Sequence, residues 1–257
     1  MRNINTVNHW HLLTNLPFDP DFPALLQRLR IKEGSSHIPP LQAMVDQAKV
    51  IARPKTYYRL AYITRVEEDR IYLDSNCVLS CTPGNQSSPI DLAQVSQADQ
   101  HFTSKVMRIN LEGLQRVFLY IATCGVELEE WAKSFDDILV HYWADAIMGA
   151  ALSAARQALQ ADVTERYQPG ALSSMNPGSL EDWPITEQVP LFALLGPVQE
   201  MTGVRLTESM LMQPTKTVSG LFFATQESLS SCQLCPRPGC PNRRAEYQPG
   251  LMDKKYQ

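Results

Sequence analysis

The chain has 257 residues, enough to bury a sizeable core without covalent staples. Its net charge of −4 and sequence pI near 5.8 give no electrostatic ground for nucleic-acid binding. Six cysteines are too few for a disulfide scaffold, the N-terminal MRNINTVNHWHLLTNLPF lacks an apolar signal core, and no run reads as membrane-spanning, so a cytoplasmic protein with no membrane association is expected.

No repeat of solenoid length is present, and the pattern is mixed α/β. After Pro40, the apolar positions Leu41, Met44, Val45, Ala48 and Ile51 recur at helical spacing. Tyr57–Val66 and Arg70–Asp74, parted by Glu67-Glu68-Asp69, read as a hairpin rich in aromatic and β-branched residues. Turn residues mark Thr82–Gln100 as an exposed loop, and Val117–Thr123 reads as a buried strand. A long helix is expected from Ser134 to about Ala161. Its small residues Gly149-Ala150-Ala151 and Ser153-Ala154-Ala155 serve either tight packing on a sheet, the simpler reading, or a ligand surface. Gln168–Pro184 is a structured loop, Leu191, Leu194, Leu195, Val198 and Met201 mark a helix stopped by Gly203, and Thr217–Ala224 is a buried strand. The expected division is an N-terminal extension (1–39), a main domain (40–226) and a cysteine-containing appendix (227–257).

The chemistry concentrates at Cys232, Cys235 and Cys240. The C-x2-C-x4-C spacing offers three thiolates to zinc or an iron-sulfur cluster, since soft metals prefer soft ligands. A fourth ligand would come from Cys77, Cys81, Cys124, a histidine, a partner or a substrate. Packing is the commoner role for Cys77, Cys81 and Cys124. His9 and His11 form an H-x-H pair that could bind metal, although a terminal pair of this kind usually does not. Arg237, Arg243 and Arg244 are solvated charges or a docking point for an acidic partner. Signatures of α/β-hydrolases, zincins, P-loop proteins and Rossmann dehydrogenases are missing from the sequence.

Several blocks occur in an order similar to that of the reactivation (activation) domain of cobalamin (vitamin B12)-dependent methionine synthase. They are HFTSKVMRINLEGLQRVFLYIATCGVELEE (101–130), the helix around His141-Tyr142-Trp143-Ala144-Asp145, NPGSLEDWPITEQVPLFALL (176–195), and a T-G-x-x-L-T-E-S block at Thr202-Gly203 and Leu206-Thr207-Glu208-Ser209, continued by Met212, Pro214 and Val218-Ser219-Gly220. The resemblance covers about residues 40–226. It implies an α/β (α+β) fold on a twisted antiparallel sheet with flanking helices, which binds S-adenosylmethionine and presents it to cob(II)alamin for reductive methylation.

By the same resemblance, the chain is expected to be a free-standing reactivation component acting on a corrinoid protein or cobalamin-dependent methyltransferase, with an external electron donor. Gly178, Glu208, Ser219 and Gly220 then line the cofactor cleft. The family's R-x-x-x-G-Y motif aligns its arginine with Ser174 and its tyrosine with Ser179, while Arg166 restores an R-x-x-x-G spacing to Gly170. The family's acidic position on the long helix falls near Gly149, and its strand aromatic is Phe222. Thr207, Glu208 and Ser209 either meet the ligand or hydrogen-bond backbone at a strand end. An electron-carrying cluster at the cysteines would suit a corrinoid activator. The alternatives are a non-catalytic corrinoid-binding or adaptor protein without S-adenosylmethionine affinity, and a zinc-stapled fold with an unrelated site.

Overall fold

The computed structural model describes residues 9–74, 101–225, 231–240, 243 and 245–256. Cys77, Cys81, Arg244 and the loop expected at 82–100 lie outside them. The elements run β1 (Trp10–Leu13), α1 (Phe22–Leu29), α2 (Ile38–Ile51), β2 (Lys55–Glu67), β3 (Arg70–Leu73), β4 (His101–Thr103), α3 (Lys105–Leu111), β5 (Arg116–Thr123), α4 (Val126–Lys133) and α5 (Ile138–Tyr167). They continue with β6 (Leu172–Met175), α6 (Gln188–Leu195), α7 (Val198–Thr202), β7 (Arg205–Leu206), β8 (Met212–Gln213), β9 (Thr217–Ala224), α8 (Ser231–Leu234) and α9 (Leu251–Tyr256).

The main sheet is antiparallel throughout, in the order β4-β3-β2-β5-β9-β6. β1 joins it beside β2, with Trp10 opposite Arg59 and Leu13 opposite Thr56. Further along, β2 meets β3 across a register break between Ile63 and Arg65. Both faces of the central strands are covered, which is why β5 is buried from Val117 to Thr123 and reads as an unbroken apolar run. Alternation then sorts the side chains. Tyr57, Leu119, Ile121, Leu221 and Phe223 share one core with α6, α7 and Trp183. On the opposite face, Tyr58, Phe118, Tyr120 and Phe222 pack with Leu159 and Val163 of α5. A third, helical core gathers α1, α2, α4 and the first half of α5.

The long helix starts and stops later than its sequence pattern indicated. Asp137 caps it by accepting from the Leu139 and Val140 N–H groups (2.8 and 3.0 Å), and the chain turns left-handed only at Gln168. α5 is apolar enough by length and composition to cross a membrane (mean hydropathy 1.3); Ile147, Ala151, Leu159 and Val163 pack inside the fold, while Ile138, Leu139 and Tyr142 near its start are exposed. The small-residue stripe is a packing surface: α1 lies against α5, and the Arg28 guanidinium sits 3.3 Å from where a Cβ on Gly149 would be.

Two expectations are corrected. The loop read at 168–184 contains β6, whose Leu-Ser-Ser-Met sequence has little strand propensity and is held by pairing with β9. The helix read from Leu191 to Met201 is two helices, broken at Gly196-Pro197, where Gly196 has φ +82°. Within the expected N-terminal extension, β1 extends the sheet and Leu25 and Leu29 of α1 are buried.

Candidate functional site

The loop after β6 is pinned at one end and open at the other. Trp183 is fully buried, and its carbonyl accepts the Gly178 N–H at 2.8 Å. Asp182 caps α3, accepting from Ser104 Oγ and from the Lys105 and Val106 N–H groups (3.2 and 3.0 Å). Glu187 accepts from the Thr103 N–H (3.1 Å) and Trp183 Nε1 (3.3 Å), and burial raises its carboxyl above the usual range against the pull of those donors. The D-W-P segment is therefore an anchor. It leaves Gly178 exposed, at φ +78°, a conformation that favours glycine.

Beside this loop, β9 and the end of β6 approach as closely as backbone allows. A Cβ on Gly220 would stand 2.2 Å from the Met175 carbonyl oxygen and 2.6 Å from Asn176 Nδ2. Asn176 uses that amide to donate to Tyr120 Oη and to the Ser219 carbonyl, both at 2.7 Å, and Tyr120 stacks on Phe222 at 4.5 Å. Of the predicted cleft residues, Gly220 thus packs on Asn176, two residues before Gly178, whose own nearest neighbour is Ile185. Ser219 instead faces the α6 side, where its hydroxyl donates to Gln188 Oε1 at 2.7 Å, and it is buried.

Glu208 belongs to a separate feature. Thr207 and Ser209 bond each other (3.0 Å), and Thr207 Oγ1 accepts the Leu211 N–H (3.1 Å), so these two close the β7–β8 turn. Exposed Glu208 lines a cavity of about 470 Å³ with Arg205, Leu206 and Gln213.

Arg166 is engaged at the C-terminal end of α5. It donates to Asp162 at 2.8 and 3.2 Å, and Tyr58 donates to the same carboxylate. Burial alone would raise the Asp162 carboxyl, but the Arg166 and Tyr58 hydrogen bonds outweigh it and hold it below its ordinary value. His11 stacks on Tyr58 (4.8 Å) and bonds Tyr167 Oη (2.6 Å), while His9 meets Tyr62 edge-on. Both histidines therefore fasten β1 to the sheet and α5.

The cysteine segment docks on the main core through buried Leu234 and Tyr256, the latter donating to Asn110 Oδ1 at 2.9 Å. Arg243 clasps it, donating to the carbonyls of Cys232 (2.9 Å), Cys235 (3.1 Å) and Arg237. Cys232, Cys235 and Cys240 are half-buried and in no disulfide, yet among the described residues no three His, Cys, Asp or Glu side chains gather closely enough to hold an ion. As placed, the thiols do not fit a closed zinc or iron-sulfur site. Cys124 is wholly buried, and burial followed by the nearby Glu129 charge pushes its thiol up to about 12. Alkylation of the native protein at pH 8, mapped by mass spectrometry, should label Cys232, Cys235 and Cys240 and spare Cys124. Comparable labelling of all four would contradict this burial.

Sequence reasoning missed Asn176, Tyr120 and Gln188, which organise the β6–β9 edge, and Arg28, which reaches α5 from outside the recognised blocks. Asn176 opens the N-P-G block and so carried a signal. Arg28 carried none.

Residues 177–230 match the family model described as "Vitamin B12 dependent methionine synthase, activation domain". These residues include the Gly178 loop, the β7–β8 hairpin and β9. No curated protein sequence matches the chain. Among solved structures, the MetH reactivation domain bound to AdoHcy is similar, with 17% identity, a TM-score of 0.57, and coverage of 86% of this chain and 79% of that one. The chain thus has the fold of the methionine synthase reactivation domain, and it resembles the activation domain of that vitamin B12-dependent enzyme in sequence over residues 177–230.

Proposed function

We propose that the protein is a reactivation component for a corrinoid protein and binds S-adenosylmethionine beside the β6–β9 edge. The observation that carries this reading is that Gly220, inside the matched segment 177–230, makes the closest backbone approach described above, against Met175 and Asn176, which directly precede that segment and the exposed Gly178. A related fold crystallised with AdoHcy supports the same ligand class. The chain would bind and orient the nucleoside, while the corrinoid on its partner would supply the cobalt that takes the methyl group, with one electron from an external donor. That the four described cysteines stand in no disulfide supports placing it in the cytoplasm.

Calorimetry with AdoHcy is the direct test, and micromolar binding is expected. Anaerobic incubation with cob(II)alamin, S-adenosylmethionine and titanium(III) citrate should then yield methylcobalamin absorbance above the reductant-only control. Absence of nucleoside binding would favour the second reading, a corrinoid-binding adaptor, which Ser174 and Ser179 support by standing where the family carries arginine and tyrosine. For the cysteine segment we propose uptake of a soft metal after rearrangement of residues 236–240, supported by the C-x2-C-x4-C spacing. Metal content of anaerobically purified protein decides it.

A further inference from the structure

The spacing of the C-terminal segment counts three thiols, and the structure pairs two of them. Cys232 lies in α8, and Cys235 follows it by one turn, its N–H donating to the Cys232 carbonyl at 3.4 Å. A turn closed from residue i to i+3 sets the two Cα atoms about 5–6 Å apart, inside the range of about 4.4–6.8 Å that a disulfide spans. Cys240 does not join the pair. Among the described residues no cluster of three ligating side chains forms, and exposed Pro236 and Pro238 stiffen the stretch that leads to Cys240.

Arg243 holds this turn in shape. Its Nη1 donates to the Cys232 carbonyl at 2.9 Å and its Nη2 to the Cys235 carbonyl at 3.1 Å, so one planar guanidinium fixes both cysteine backbones relative to each other. Between the cysteines, Leu234 is buried in the main core, and the Gln233 carbonyl accepts the Gln248 N–H at 2.9 Å. A charged clasp, a buried leucine and a backbone bond thus pin the pair, and none of them uses sulfur. Both cysteines are half-buried, within reach of a small reagent. Two thiols preset at a backbone distance that a disulfide spans, without the third that a closed metal site needs, suit thiol–disulfide exchange. In a reducing compartment a disulfide is commonly transient and redox-sensing rather than structural.

We propose that Cys232 and Cys235 form a thiol–disulfide exchange site whose reactant is the disulfide of a low-molecular-weight thiol. One cysteine thiolate attacks a sulfur of that disulfide, forming a mixed disulfide and expelling one small thiolate. The other cysteine, having lost its proton to solvent, attacks the mixed disulfide, forming the bond between Cys232 and Cys235 and expelling the second small thiolate. The protein dithiol gives up two electrons and two protons, and the small disulfide takes them up as two thiols. Arg243 is a positioning residue for the second step. The exchange is independent of the nucleoside reading, and it gates the soft-metal uptake proposed above, because a disulfide leaves neither thiolate able to ligate.

Incubation of the anaerobically purified protein with glutathione disulfide, quenched by alkylation and mapped by mass spectrometry, tests this. The expected product lacks two hydrogens on the peptide containing Cys232 and Cys235, while Cys240 stays open to alkylation. Cys235→Ser should stop at a glutathione adduct on Cys232, and Cys232→Ser at one on Cys235. Arg243→Ala should form the adduct at the unmodified protein's rate and close it about tenfold more slowly, so that the adduct accumulates. Arg243→Lys should recover part of the closure rate. A rise in both rates, the mark of general loosening of the segment, or an unchanged closure rate overturns the role of Arg243 and leaves the exchange site standing. A persistent adduct in the unmodified protein, a bond to Cys240, or no reaction, whether or not the thiols hold a metal, overturns the exchange site itself.

Discussion

Gly220→Ala is expected to destabilise the protein by about 3 kcal/mol or more, at the upper end of overpacking costs, and to abolish AdoHcy binding. The added methyl would stand 2.2 Å from the Met175 carbonyl oxygen, which is backbone and has no rotamer to swing away. β6 would have to move, and with it Asn176, the residue that ties Tyr120 to the Ser219 carbonyl. Urea unfolding of the two proteins measures the first effect and calorimetry the second. A loss under about 1 kcal/mol, within the ordinary range for a point change, would mean that β6 yields freely and is no rigid wall of the site.

The second large effect is expected on β2, which β5 separates from β9. Arg59 is 1% exposed, lies under Trp10 at 4.9 Å, and donates to the carbonyls of Leu194 (2.9 Å) and Asp74 (2.8 Å). Its charge is balanced by the Asp74 carboxylate at 3.3 Å. Asp74→Ala keeps the backbone acceptors and removes the counter-charge, and breaking a buried pair in this way costs about 3–5 kcal/mol. The double variant Arg59→Met, Asp74→Ala should recover much of that loss, because an apolar side chain of similar length needs no counter-charge. If the double variant is as unstable as the two single changes added together, the pair is not coupled and the cost lies in packing.

Much of the fold could be read from periodicity and composition. β5 after Arg116, and β9 apart from Ser219 and Gly220, are apolar, β-branched or aromatic, and burial on both faces makes such runs conspicuous. α2 shows its first turn in two prolines and its core face in Leu41, Met44, Val45 and Ala48. What escaped was set by distant partners. β6 exists because β9 offers it an edge, which four residues of Leu-Ser-Ser-Met do not announce. β1 is similar, a short segment given its place by residues 56–59 of β2.

The candidate site was legible where a residue's role depends on backbone shape and obscure where it depends on which way a side chain turns. Gly178 and Gly220 have a conformation or contacts that a Cβ would disturb, which fits the glycines of the sequence blocks. Ser219 follows the two-residue alternation of β9 and so points away from Gly220, toward Gln188. Arg166 had suitable spacing to Gly170, but its nearest carboxylate is Asp162, one helical turn earlier, and that local pairing takes the guanidinium. The cysteines illustrate a third case: spacing counts thiols, whereas Arg243 organises the carbonyls between them.

The dependence of α1 on α5 has a consequence for biogenesis. α1 is translated early, but the helix that covers Leu25 and Leu29 is complete only after the whole run from Leu29 through Tyr167 has emerged. At ordinary elongation rates the nascent chain carries that uncovered apolar face for on the order of ten seconds, a window in which a chaperone or a neighbouring ribosome's product can engage it. Expression yield should therefore respond to slowed elongation and lower temperature more strongly than equilibrium stability would indicate, since the vulnerable state precedes the fold.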